Sequence, residues 1–155
     1  MIAALFASLA MLVSVPVGLA AARPVPGTLS IEDVRGVVVV RGTGTVVGRL
    51  DRGELQLTDL TPNDAWTPKV NGVAKPRSVV TRGRDINFFV PGGRYRISVK
   101  GDGVSLSARG VGVATVKSTK AGEGTVAVGD ATPTPVTTDT IKLTFGGDDS
   151  GNGTG

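Results

Sequence analysis

From Leu29 to Val128 the chain is built of short apolar stretches, many alternating with polar residues, and Gly interrupts them every few positions. Alternation places successive side chains on opposite faces of a strand, so this pattern predicts half-buried β-structure. No stretch after residue 22 keeps a helical period over about 11 residues, so no helix is expected there. Tyr95, Ile97 and Val99 alternate with Arg94, Arg96, Ser98 and Lys100. Beyond Gly101-Asp102-Gly103, Val104, Leu106 and Ala108 alternate with Ser105, Ser107 and Arg109. The expectation is a hairpin from Arg94 to Arg109 with one apolar face and one basic or hydroxylic face. Asn71-Gly72 predicts a tight turn between Lys69-Val70 and Val73-Ala74, and Pro91-Gly92 a turn after a strand over Ile86 to Val90. Ile141, Leu143 and Phe145 alternate with Thr140, Lys142 and Thr144, which predicts a last strand closing the sheet.

Two stretches resemble each other. The run from Gly36 to Val46 shares a strand, an Arg-Gly-x-Gly turn and a return strand with the run from Gly103 to Val113, and Gly53 to Pro62 aligns without a gap to Gly124 to Pro133. Each copy offers three strands, near 37–41, 45–50 and 54–58, matched by 104–108, 113–117 and 125–128. Chance similarity among Gly- and Val-rich strands is the alternative. The expected fold is therefore all-β, an antiparallel sandwich or partly open barrel, with two duplicated three-strand meanders as one route to it, after an N-terminal signal helix. The lack of a regular repeat of about 20 to 30 residues argues against a solenoid.

Met1 to Ala22 contains no charged side chain, and Ile2 to Val15 has the length of a signal-peptide apolar region. Pro16 and Gly18 break it, and small residues at Ala20 and Ala22 precede Arg23, which favours cleavage after Ala22, with Ala20 a close second. An uncleaved membrane anchor is the rival reading, and contact with a membrane is expected only through this segment. The expected organisation is a signal at 1–22, an extended lead-in at 23–28, a β-domain at 29–145 and a disordered Gly/Asp tail at 146–155. Export to the cell envelope or beyond follows from the first of these.

Composition narrows the chemistry. There is no Cys and no His, which removes disulfides, thiol nucleophiles, the usual zinc sites and Ser-His-Asp catalysis. Aromatic residues are only 4% of the chain, so the core must be aliphatic. Charge is segregated: residues 35–120 hold 15 Lys or Arg against 6 Asp or Glu, while residues 121–155 hold 1 against 5. Arg94, Arg96, Lys100 and Arg109 fall on one face of the predicted hairpin and form a candidate stripe for an anionic polymer such as a wall glycan or teichoic acid. A solvated sheet face explains the same residues without a ligand. Nucleic acid is not expected, because aromatic interleaving is nearly absent.

Other motifs say less. Gly42-x-Gly44 and Gly110-x-Gly112 lack the following helix that a phosphate loop needs, and read as turns or bulges. Asp59 and Asp130 stand at matching places before Thr-Pro, where Asp starts turns; as a facing pair they would support a small carboxylate-dependent hydrolase. Asp148 to Gly153 is half of a calcium loop without its closing Glu, and Asn152-Gly-Thr154 is a glycosylation sequon. Trp66 and Tyr95 offer rings for a sugar or for packing. No cofactor, metal or catalytic residue is assigned.

The Arg-Gly-x-Gly turns, Gly53 to Pro62, and Gly92 to Ala108 resemble uncharacterised small exported β-proteins of high-GC Gram-positive bacteria, over residues 29–130. That resemblance implies no activity. The leading expectation is an exported, non-catalytic β-domain acting by binding or structural association, with the polymer-binding module and the carboxylate hydrolase as alternatives.

Overall fold

The computed structural model describes residues 23–147, so the predicted signal segment, the half calcium loop and the sequon lie outside the described residues. The described chain is all strand and loop: β1 (Gly27–Asp59), β2 (Lys69–Val70), β3 (Val73–Ala74), β4 (Ser78–Val90), β5 (Arg94–Ser118), β6 (Thr125–Val128), β7 (Thr134–Pro135) and β8 (Ile141–Phe145). Every pairing is antiparallel, and the sheet does not close on itself. The all-β, incompletely closed architecture is what alternation and turn chemistry predict.

At 33 and 25 residues, β1 and β5 are far longer than ordinary strands, and their registers show how they are wound. Thr58 faces Ser78, Val46 faces Val90, Thr43 faces Arg94, Ile31 faces Leu106 and Gly27 faces Gly110. These pairs lie on one continuous two-stranded ribbon whose closed tip is residues 60–77. A second register lays the ribbon against its own next turn: Val37 lies between Lys100 and Lys117, and Thr43 between Arg94 and Val111. A ribbon coiled on itself in this way is a jelly roll.

The coiling makes two layers. Layer A runs 78–84, 52–59, 94–102, 36–43, 111–118, β8, and layer B runs β3, β2, 86–90, 44–50, 104–110, 27–34, β6, β7. One face of the ribbon points inward throughout. Val38, Val40, Leu55, Leu57, Ile97 and Val99 from layer A meet Leu29, Ile31, Val46, Leu50, Val104 and Leu106 from layer B in a single core. Burying side chains of this size contributes roughly 2 kcal/mol each, and the chain has no disulfide to add to that.

Passing from one layer to the other requires corners, which are made in two ways. Between Ile31 and Val34, Leu50 and Leu55, and Val99 and Val104 the buried positions slip by one residue. On a straight strand such a slip would turn the apolar set outward; at a corner it keeps that set facing the core. Elsewhere two glycines meet: Gly44 pairs with Gly110, at φ 134° and 148°, values costly for any other residue. A Cβ on Gly44 would strike the Arg109 carbonyl oxygen, and one on Gly110 that of Thr43.

These corners correct two expectations. Arg94 to Arg109 is not a hairpin, since β5 runs unbroken through Gly101-Asp102-Gly103, with 94–100 in layer A and 104–109 in layer B. The pieces 37–41, 45–50 and 54–58 are likewise successive runs of one bent strand, paired to β4 and β5 and not to each other, so they form no meander. The Asn71-Gly72 turn is present as predicted, joining β2 to β3. Strand β1 begins at Gly27, inside the predicted lead-in. Gly147, assigned to the tail, exchanges backbone hydrogen bonds of 2.9 and 3.0 Å with Val25.

Candidate functional site

The outer face of layer A collects cations from four separate pieces of chain. Alternation along 94–100 points Arg94, Arg96, Ser98 and Lys100 away from the buried Tyr95, Ile97 and Val99. On one flank 36–43 adds exposed Arg41 directly opposite Arg96, and beyond it lie Lys117 and then Lys142. Successive outward residues on one strand stand about 7 Å apart, and neighbouring strands about 4.8 Å. Arg94, Arg96 and Lys100 of the predicted stripe are therefore brought together. Arg109 is not: it lies across from Thr28 and Thr45 on layer B, because the corner at 101–103 carries the strand to the other layer.

The ion pairs among the described residues gather at one end of this face, while Asp59 and Asp64 stand near Arg94 at the other end and Glu54 lies across from Lys100. Asp102 takes Arg35 at 3.1 Å and Arg52 at 4.0 Å, Glu123 takes Arg35 at 3.5 Å and Lys120 at 3.3 Å, and Glu54 holds Arg82. All of these pairs are substantially exposed, so each is worth at most about 1 kcal/mol. Among the described residues Arg41, Arg94, Arg96, Lys100, Lys117 and Lys142 make no ion pair. Arg41 and Arg96 are thus two uncompensated like charges facing each other across a ladder, an arrangement that destabilises a sheet. Beside Arg96 the surface sinks into a recess of about 120 Å³ lined by Gln56, Thr58, Arg96 and Ser98.

The remaining candidates resolve into structural roles or separate places. Asp59 accepts a hydrogen bond from the Thr61 backbone at 2.8 Å, the turn-starting role its sequence context predicts. It ends a layer A run, whereas Asp130 follows β6 in layer B, so the two carboxylates are not brought together by the ribbon. Gly42 and Gly112, from the two Gly-x-Gly motifs, pair with each other across the ladder, where they allow close approach of two strands. Tyr95 is wholly buried and cannot stack on a sugar; burial pushes its hydroxyl from 10.0 up to about 12, and that hydroxyl has no hydrogen-bond partner. Trp66 is 52% exposed and packs its ring against Gly92 in the loop at the ribbon tip.

The outer face of layer B differs. A shallow hollow of about 290 Å³ is lined there by Ser30, Glu32, Val47, Arg49, Ser105 and Ser107, among others, and Val47 lies opposite Phe89. These two are 54% and 38% exposed.

The sequence stripe missed Arg41, Lys117 and Lys142. Alternation marks each as outward, but only the winding brings them beside residues 94–100. The chain matches no protein-family model, no curated protein and no solved structure.

Proposed function

We propose that this protein is an exported, non-catalytic β-domain that binds an extended anionic polymer of the cell envelope along the outer face of layer A. One observation carries the reading. Among the described residues Arg41 and Arg96 stand opposite each other and neither makes an ion pair, an arrangement that costs stability in the free protein and is relieved by an anion lying across both. Arg94, Lys100, Lys117 and Lys142 extend the same face over several strands, which suits a long ligand better than a small one. Export is supported by the uncharged segment Met1–Ala22 with its small residues at Ala20 and Ala22.

We also read the two similar stretches as a duplication. Residues 36–43, 44–50 and 54–58 lie in layers A, B and A, while their counterparts 104–110, 111–118 and 125–128 lie in layers B, A and B. An approximate twofold exchange of the layers accounts for that order.

The test is retention on immobilised, purified wall polymer under a salt gradient. The expected result is salt-sensitive retention, with the Arg41→Gln/Arg96→Gln variant eluting at clearly lower salt. No retention of the unchanged protein at low salt would overturn the proposal.

A further inference from the structure

We infer that the recess beside Arg96 receives a phosphate group, so that the polymer bound on this face carries phosphates and is not a polycarboxylate; the inference rests on the polymer-binding reading of layer A. The recess is formed by two cross-strand pairs on neighbouring pieces of the ribbon, Gln56 with Ser98 and Thr58 with Arg96. All four side chains carry hydrogen-bond donors: a guanidinium fork, two hydroxyls and an amide. No Asp or Glu lines it.

Thr58 Oγ1 lies 3.1 Å from Ser78 Oγ, and either oxygen can donate. Ser78 has a second acceptor in the Leu57 carbonyl oxygen at 3.5 Å; when it gives its proton to the nearer Thr58 instead, the Thr58 proton is left for an anion in the recess. The donors come from two strands and two rows of the ladder, so the hydroxyls and the amide are set at separate points of the recess beside Arg96. That spread discriminates between anions. A carboxylate presents two oxygens in one plane, which a single Arg fork can satisfy. A phosphate presents tetrahedral oxygens, so one pair can take the fork while another faces the hydroxyls of Thr58 and Ser98. Arg41, on the far side of Arg96, is placed for the next charge along the polymer.

The experiment compares two soluble polyanions on the full-length protein: long-chain inorganic polyphosphate and poly-L-glutamate, matched in number of charges, at one ionic strength. Polyphosphate is expected to bind about tenfold more tightly, a difference of about 1.4 kcal/mol. The Thr58→Val/Ser98→Ala variant is expected to lose that preference while keeping its affinity for polyglutamate. Equal affinity of the unchanged protein for the two polymers, or a preference for polyglutamate, would overturn the phosphate recess and leave the polymer-binding face standing. Binding of neither would overturn both. A measurement that needs no variant is titration with inorganic phosphate or acetate, followed by backbone amide NMR. Phosphate is expected to shift the Thr58 and Ser98 signals and acetate to leave them unmoved; equal shifts from the two anions would count against the recess.

Discussion

The two outer faces of this protein are made by the same ribbon under the same internal constraint, and they differ in charge. Inward positions on both layers must be apolar, so only the outward residues are free to vary. Layer A spends them on Arg41, Arg94, Arg96, Lys100, Lys117 and Lys142, while layer B sets Arg49, Arg109, Lys69 and Glu32 among Ser30, Ser105, Ser107, Thr28 and Thr45 with Val47 and Phe89. Solubility alone is served by intermixed signs of charge. Crowding six cations that make no ion pair among the described residues onto one face, two of them directly opposed, carries a cost in the free protein. On the proposed reading, that cost is offset by the anionic polymer that layer A binds.

The corners are where the comparison is most easily broken, since they carry the chain from one layer to the other. Gly44→Ala is expected to destabilise the protein by about 3 kcal/mol or more, because the added Cβ meets the Arg109 carbonyl and the residue is held at φ 134°. Chemical denaturation measures this, and a loss below about 1 kcal/mol would mean that the two strands do not cross as closely as described.

Next in size is binding. Arg41→Gln/Arg96→Gln is expected to weaken binding to polyphosphate roughly tenfold and to flatten its dependence on salt by between one and two contacts. Arg49→Gln/Arg109→Gln removes the same charge from layer B and is expected to change affinity little. If the two doubles lose affinity equally, net charge is what binds, and the distinction between the faces falls.

A smaller effect lies beneath layer A. Tyr95→Phe removes a buried hydroxyl with no partner and is expected to raise stability by about 1 kcal/mol, read as an increase in denaturation midpoint. The same residue sets a pH response. Burial favours its neutral form, raising its value from 10.0 to about 12, so the associated stability is intact below pH 10 and is lost as pH climbs towards 12. Because Tyr95 is the protein's single Tyr, tyrosinate absorbance in the intact protein reports it alone. Tyr95→Phe should remove that part of the alkaline destabilisation.

The smallest effect is also the sharpest test of cost on layer A. Arg96→Thr places a β-branched neutral residue opposite Arg41 and is expected to stabilise the unliganded protein by about 0.5 kcal/mol. A loss of stability in this variant would show that the opposed arginines are not in conflict.

How far this site was legible follows from what alternation encodes. The outward direction of Arg94, Arg96 and Lys100 is visible in the sequence, because period two is a property of one strand. That Arg109 leaves their face is not visible, since Gly101-Asp102-Gly103 suits a hairpin turn and a corner equally well. Gly permits both conformations, and the choice falls to the partner strands. Arg41 and Thr58 are far in sequence from Arg96 and join it only through two registers of one coiled ribbon.

The sequence by itself determined the strand character of the chain, the inward direction of its alternating aliphatic positions and its lack of His and Cys. Those properties depend on residue type and local spacing alone. The burial of Tyr95 and Phe145 in a core expected to be aliphatic came from the fold. The tertiary structure decided which strands are neighbours, which glycines turn the chain and which cations share a face. Antiparallel ladders are made of backbone groups that every residue but proline carries, so side-chain pattern sets the inward face of a strand and leaves its partners open.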